Sequence, residues 1–208
     1  MTRALVISGT DTGIGKTTVC AMLTAALGAT YWKPIQSGIE DETDTQLVRR
    51  VTGLGDDRFL PESYVLSRPL SPHRAAELDG VAIDLERLTL PTVAGPLLVE
   101  GAGGLMVPLT RQKLLIDVFA AWQAPLILCA RTGLGTINHT LLSIEALRAR
   151  HIPLHGLIFI GDDNADNIGT IAAMSGARVL GHLPHLNTIT RETLAQVFVH
   201  RFKTSDFA

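Results

Sequence analysis

Short, continuously apolar runs bounded by turn residues alternate along the chain with longer stretches whose apolar positions recur at helical spacing. The apolar runs fall at residues 4–8, 30–33, 96–100, 126–130, 154–160 and 178–183 and read as strands. The helical patterns cover 16–27, 44–51, 113–122, 137–150, 165–174 and 190–201. Gly28 closes the first of these, where a glycine stop is expected. Strands apolar on both sides, separated by helices, predict an α/β fold: a doubly wound, mostly parallel sheet with helices on both faces. Residues 54–96 hold five of the ten prolines and are the least regular, which predicts loops, short helices and a sheet edge there. No repeat, low-complexity tract or linker interrupts the pattern, so residues 1–208 read as one domain.

Composition narrows the function. With 46% hydrophobic and 18% charged residues, the chain has the means for a large core and not the make-up of a disordered segment. A net charge of −2 gives no general surface for nucleic acid or membrane. No apolar run approaches the roughly 18 residues needed to span a bilayer. The N-terminus runs straight into a strand with no signal-peptide pattern, and Cys20 and Cys129 lie in apolar patterns as reduced core thiols. A cytoplasmic location follows as the expectation. Only four of the eighteen basic residues are lysines, and two of them, Lys16 and Lys33, sit in the two most motif-like segments.

In a sheet of this kind ligands bind beyond the carboxyl ends of the strands, so each strand end is a candidate. The first strand leads into GTDTGIGKT (9–17) and then a helix, the layout of a phosphate-binding P-loop. Backbone N–H groups and the helix dipole favour an anion there, Lys16 can reach terminal phosphates, and the Thr17 hydroxyl can ligate magnesium. Five residues rather than four separate Gly9 from Gly15, so the loop is a variant. The second strand ends in KPIQSG (33–38). Pro34 cannot continue a central strand, which brings Lys33 out at the ligand edge. Position alone leaves Lys33 open between an exposed lysine beside a turn and a cation that stabilises developing negative charge. Ser37 is likewise open between a turn residue and a ligand contact. Glu40, Asp41 and Glu42 need no role beyond the dipole of the helix that follows, whereas Asp44 is a metal-ligand candidate because a partner exists. That partner is Glu100, at the end of the buried strand in PLLVEGAGG (96–104), the pattern of a Walker B carboxylate. The fourth strand leads through glycines into Thr136-Ile137-Asn138, either a second anion site or an ordinary helix start capped by Thr136.

Together these segments resemble the dethiobiotin synthetase family of biotin biosynthesis. The resemblance rests on GTDTGIGKT (9–17), KPIQSG (33–38), Thr43-Asp44, Ser71-Pro72-His73, VEGAGG (99–104), GLGTINHTLLS (133–143) and GHLP (181–184), in family order over nearly the whole chain. It implies a P-loop NTPase-like fold and a ligase that uses MgATP to close the ureido ring of dethiobiotin from 7,8-diaminononanoate and carbon dioxide. A substrate amine captures carbon dioxide as a carbamate, the γ-phosphoryl group makes a carbamic–phosphoric anhydride, and the second amine expels phosphate. Carried over, Lys16 contacts phosphates and carbamate, and Lys33 stabilises the carbamate. Thr12 and Ser37 touch the diamine or its carbamate, and Thr17, Asp44 and Glu100 hold magnesium. Gly13, Ile14, Gly15 and Thr18 complete the phosphate cradle, and Gly101, Ala102 and Gly103 line the nucleotide side. The family works as a homodimer with substrate against the partner subunit, and the helix start at Thr136–Asn138, with Asn138, is the implied site for the distal carboxylate.

Two departures from the family stand out. Position 13 is glycine where some members carry an acidic residue. Some members also present an asparagine to adenine directly after the fifth strand, but here the strand runs into Gly161-Asp162-Asp163. Base recognition is then expected to fall to Gly161, Asp162 and the backbone around Leu183, Pro184 and His185, with weaker discrimination among nucleoside triphosphates. Other P-loop classes fit less well. Partitioning ATPases carry a lysine five residues before the P-loop lysine, where this chain has Asp11. Glutamine-dependent synthetases of cobalamin chemistry need a glutaminase domain for which 208 residues leave no room. A binding module without chemistry would leave Lys33, Ser37 and Glu100 unexplained. Replacing Lys33 by alanine is expected to cut turnover steeply while leaving folding intact, on the premise that an exposed strand-end lysine adds little to stability.

Overall fold

The computed structural model describes residues 3–207. In chain order the elements are β1 (Arg3–Gly9), α1 (Lys16–Leu27), β2 (Thr30–Trp32), β3 (Ile35–Ser37), α2 (Asp44–Thr52), β4 (Phe59–Leu60), β5 (Tyr64–Leu66) and α3 (Pro72–Leu78). They continue with β6 (Pro96–Gly104), α4 (Leu115–Trp122), β7 (Leu126–Arg131), α5 (Thr136–Arg148), β8 (Leu154–Ile160), α6 (Ala165–Ser175), β9 (Val179–Leu183) and α7 (Arg191–Arg201). Seven strands form one sheet in the order β4-β2-β6-β1-β7-β8-β9, and each adjacent pair is parallel. Alternate strand residues feed two cores, as apolar-both-sides strands require. Leu5, Ile7, Tyr31, Leu98, Ile127 and Ile158 pack under α1, α2 and α7. Val6, Trp32, Leu97, Val99, Leu128 and Phe159 pack under α4, α5 and α6 on the other side. The doubly wound parallel architecture expected from the sequence is therefore what forms, with Cys20 and Cys129 free and buried within it.

The differences from expectation concentrate where the site lies. β6 does not stop at Glu100 but runs on to Gly104, which pairs with Gly9 of β1. A Cβ on Gly104 would stand 3.3 Å from the Gly9 carbonyl oxygen, so the glycine lets the extension lie close against the P-loop strand. β2 ends at Trp32, as Pro34 requires, but the segment after it is not a free loop. β3 pairs in parallel with β5 as a second, two-stranded sheet, which fixes Gln36 and Ser37 over the cleft. Residues 54–96 supply the sheet edge through β4 and several short helices and loops, as anticipated, and also β5, which was not. α4 starts at Leu115 rather than at 113, because the Lys113 carbonyl accepts from the N–H groups of Leu109 and Thr110 in a preceding turn. Thr136 is not the cap of α5. Gly135 holds that place at φ 88°, and the Thr136 hydroxyl instead donates back to the Arg131 carbonyl at 2.5 Å.

Candidate active site

The carboxyl ends of β1, β2 and β6 and the first turns of α1 and α2 converge on a cleft of about 590 Å³. The P-loop forms its floor. Gly13 and Gly15 take positive φ, 66° and 97°, a region open to glycine at no steric cost, and Gly15 caps α1. Ile14 tucks into the core beneath the loop and Lys16 folds over it, donating from Nζ to the Asp11 carbonyl at 3.1 Å. Burial lowers the pKa of Lys16, with Glu100 opposing the shift. β6 approaches so closely that a Cβ on Gly103 would meet Val107 at 2.9 Å and Thr12 Oγ1 at 3.1 Å.

Four side chains predicted from separate segments meet in one network. Thr17 Oγ1 lies 2.9 Å from Asp44 Oδ1 and 2.9 Å from Glu100 Oε1. Lys33 Nζ lies 2.6 Å from Asp44 Oδ2 and 3.0 Å from Glu100 Oε1, and reaches the Gly101 carbonyl at 3.4 Å. Asp44 is aimed by its helix start. Thr43 caps α2 in a capping box with Gln46, and the Asp44 N–H donates to Gln36 Oε1 at 3.3 Å. The premise that Lys33 is exposed is wrong. Its residue exposure is 3%, and Glu100, at a strand end where carboxylates are usually solvated, is at 1%. Burial alone would lower the Lys33 pKa, but Glu100 and Asp44 together outweigh it and hold the ammonium above its ordinary value. Asp44 is held below the usual aspartate range. Its burial acts the other way and is overcome by attraction to Lys33 and by hydrogen bonds from Lys33 and Thr17.

Of the other expected site residues, Thr12, Gly13, Ile14, Gly15, Ser37, Ala102 and Gly103 line the cleft. Gly101 sits behind it, where a Cβ would strike Phe119 at 2.9 Å. Ser37 Oγ is one of three buried hydroxyls with no hydrogen-bond partner among the described residues, and of the three it alone lines the cleft. A second cavity, about 550 Å³, continues from Gly13 and Ile14 along Arg131, Thr132, Gly133, Gly161, Asp162, Asn164 and His185. Leu183 does not line it but holds Gly161 through its carbonyl, which accepts the Gly161 N–H at 3.0 Å, while Thr18, Pro184 and Asn138 line neither cavity. The sequence reading did not foresee Tyr31, whose hydroxyl donates to Glu100 Oε2 at 2.8 Å, nor the placing role of Gln36, nor Asn164. Asn164 could have been found as the cap signal before α6. Tyr31 carries no signal until β2 is known to pair with β6.

A family model described as an AAA domain matches residues 3–193. The ATP-dependent dethiobiotin synthetase BioD of Rhodopseudomonas palustris (strain BisB5) is 59% identical over 207 residues, covering 100% of this chain and 98% of its own length. Its counterpart from Agrobacterium fabrum is 57% identical with the same coverage. The chain belongs to the ATP-dependent dethiobiotin synthetase family. Among solved structures, MinD of Pyrococcus horikoshii in complex with Mg-ADP is 17% identical at TM-score 0.52, covering 94% of this chain and 86% of its own. The MinC:MinD complex of Aquifex aeolicus is 13% identical at TM-score 0.54, covering 95% and 88%. At those identities the likeness to MinD concerns the fold alone. Synthetase relatives match along the full chain, and among the described residues no helix is long and apolar enough to cross a membrane.

Proposed function

We propose that the chain joins carbon dioxide to 7,8-diaminononanoate and closes the ring with ATP, giving dethiobiotin, ADP and phosphate. The observation that carries this reading is the buried Lys33–Asp44–Glu100–Thr17 network on the wall of a P-loop cleft that also receives the unpartnered Ser37 hydroxyl. On this reading a nucleotide would set its base in the second cavity and its phosphates across Gly13–Thr17, a placement supported by Gly13 and Ile14 lining both cavities. Thr17, Asp44 and Glu100 offer a hydroxyl and two carboxylates, an all-oxygen donor set that suits Mg²⁺. Bound there, the cation would neutralise charge on the β- and γ-phosphates. Lys16 faces the transferring phosphoryl group, Lys33 stabilises the carbamate, and Thr12 and Ser37 orient the diamine. The cleft does its work by positioning charged groups and excluding water around an anhydride that hydrolyses readily.

Asn138 lines neither cavity of its own protomer, which fits a homodimer in which Asn138 of the partner subunit meets the distal carboxylate. The two buried thiols fit a reducing cytoplasm. Discrimination among nucleotides should be loose. Gly161 takes φ 131°, and a Cβ there would lie 2.6 Å from Thr132 Oγ1, so the position cannot carry an adenine-reading side chain without a shift. Asn164 borders the cavity but is committed to the Thr132 carbonyl at 3.1 Å and to the N–H of Asn167 at 3.1 Å. GTP and CTP should therefore support turnover within about a thousandfold of ATP, and a larger deficit for both would establish strict adenine selection.

Phosphate release from MgATP, measured with and without 7,8-diaminononanoate plus bicarbonate and with mass analysis of the product, tests the function. Release that requires the diamine and yields dethiobiotin is expected. Hydrolysis indifferent to the diamine would instead favour a switch ATPase.

A further inference from the structure

The two oxygens of Glu100 are held from opposite sides. Oε1 faces the cleft, with Thr17 Oγ1 at 2.9 Å and Lys33 Nζ at 3.0 Å. Oε2 faces the core, where the Tyr31 hydroxyl donates to it at 2.8 Å. Tyr31 has no freedom to leave. It is fully buried in the middle of β2, in register with Leu98 of β6 and Phe59 of β4, and its ring meets Phe59 edge-on at 6.4 Å. Packing alone does not call for the hydroxyl, since phenylalanine would fill the same space. Among the described residues, the hydroxyl's one hydrogen-bond partner is the carboxylate at the centre of the site. With Oε2 occupied, rotation of the carboxylate to present both oxygens to the cleft would break that bond and leave a buried phenol unpaired.

We propose that Tyr31 is a positioning residue that confines Glu100 to one-oxygen ligation of the metal and so favours Mg²⁺ over Ca²⁺. Mg²⁺ demands near-octahedral geometry at short distances and takes carboxylates through single oxygens, whereas Ca²⁺ accepts higher coordination and chelating carboxylates. A partner that removes one oxygen from the donor set therefore penalises the larger ion. The same bond fixes the rotamer of Glu100, as partners behind metal ligands commonly do. This inference rests on Glu100 being a metal ligand, as proposed above.

The test uses the full chain loaded with a non-hydrolysable ATP analogue, with Mg²⁺ and Ca²⁺ affinities measured by competition against Mn²⁺ followed by electron paramagnetic resonance. Tyr31→Phe is expected to weaken Mg²⁺ binding roughly 10-fold and Ca²⁺ binding less, lowering the preference for Mg²⁺. A preference within about twofold of the parent would overturn the proposal. A second measurement needs no variant at position 31. The chain has two tyrosines, so fluorotyrosine labelling gives two ¹⁹F resonances, assigned with Tyr64→Phe. The Tyr31 resonance should move when Mg²⁺ is added to the nucleotide-loaded protein, and one that stays fixed counts against the coupling. Glu100→Gln separates the two levels. If it binds metal as the parent does, the ligand assignment itself fails. If it loses metal while Tyr31→Phe keeps both affinity and preference, only the positioning role fails.

Discussion

Lys33→Ala is expected to lower turnover about 100- to 1,000-fold, the scale for losing one preorganised charge stabiliser, and to destabilise the fold as well. The second effect reverses the expectation for an exposed lysine. In the structure the ammonium stands between two carboxylates, Asp44 at 2.6 Å and Glu100 at 3.0 Å, and Glu100 has almost no contact with water. Deleting the cation leaves Glu100 with the Tyr31 and Thr17 hydroxyls, the Cys20 thiol and the more distant attraction of Lys16, and leaves two like charges facing each other across the gap. Breaking a buried pair from one side costs about 3 kcal/mol or more. For a chain of this length that corresponds to a melting point lower by roughly 6–12 °C. The pH dependence distinguishes this cause from simple loss of packing. Lys33 is held above its ordinary value, so its contribution is complete below the ordinary lysine pKa and disappears as pH rises through the folded-state value. Asp44 is held below its ordinary value, so its contribution is present above that value and is lost as pH falls through the folded-state one. The stability gap between parent and variant should thus be widest between roughly pH 4 and pH 10 and should close in acid. Calorimetry across that range checks it, and a gap that ignores pH would mean packing, not charge, is what was lost.

How much of this was legible follows from what each feature depends on. The sheet was legible because its strands are apolar on both faces, a signal local to each segment. The P-loop and the VEGAGG turn were legible because glycine is demanded by backbone geometry that few other residues tolerate. Lys33 illustrates the limit. Pro34 correctly ended the strand, but whether the lysine then meets water or two carboxylates depends on α2 and β6, which lie 11 and 67 residues away. Tyr31 was illegible for the same reason, since a tyrosine in an apolar strand looks like core until the neighbouring strand and register are known. The small β3–β5 sheet was missed because three-residue strands carry too short a pattern to separate from loop.

Glu100→Gln should do the opposite of Lys33→Ala, sparing the fold while removing the metal. The amide can settle in only one way without conflict. With its NH₂ toward the cleft it would set donors against the Lys33 ammonium, whereas with its oxygen there Lys33 and Thr17 keep an acceptor and the NH₂ meets the Tyr31 oxygen, which can accept. Each of these heavy atoms then keeps one hydrogen bond, but the Tyr31 proton loses its acceptor, so the stability loss should be about 1–2 kcal/mol, still short of that for Lys33→Ala. Charge changes more than shape. Lys16 and Lys33 would face Asp44 alone, leaving the cleft net positive before any cation arrives. That favours a bare triphosphate and disfavours a divalent ion. Affinity for ATP measured in EDTA should hold or improve, whereas the gain on adding Mg²⁺ should fall on the order of 100-fold, at or beyond the upper end of the range for partners that only support a ligand. Calorimetric titration of ATP with and without Mg²⁺ reads both numbers, and a Mg²⁺ gain equal to the parent's would remove Glu100 from the metal site.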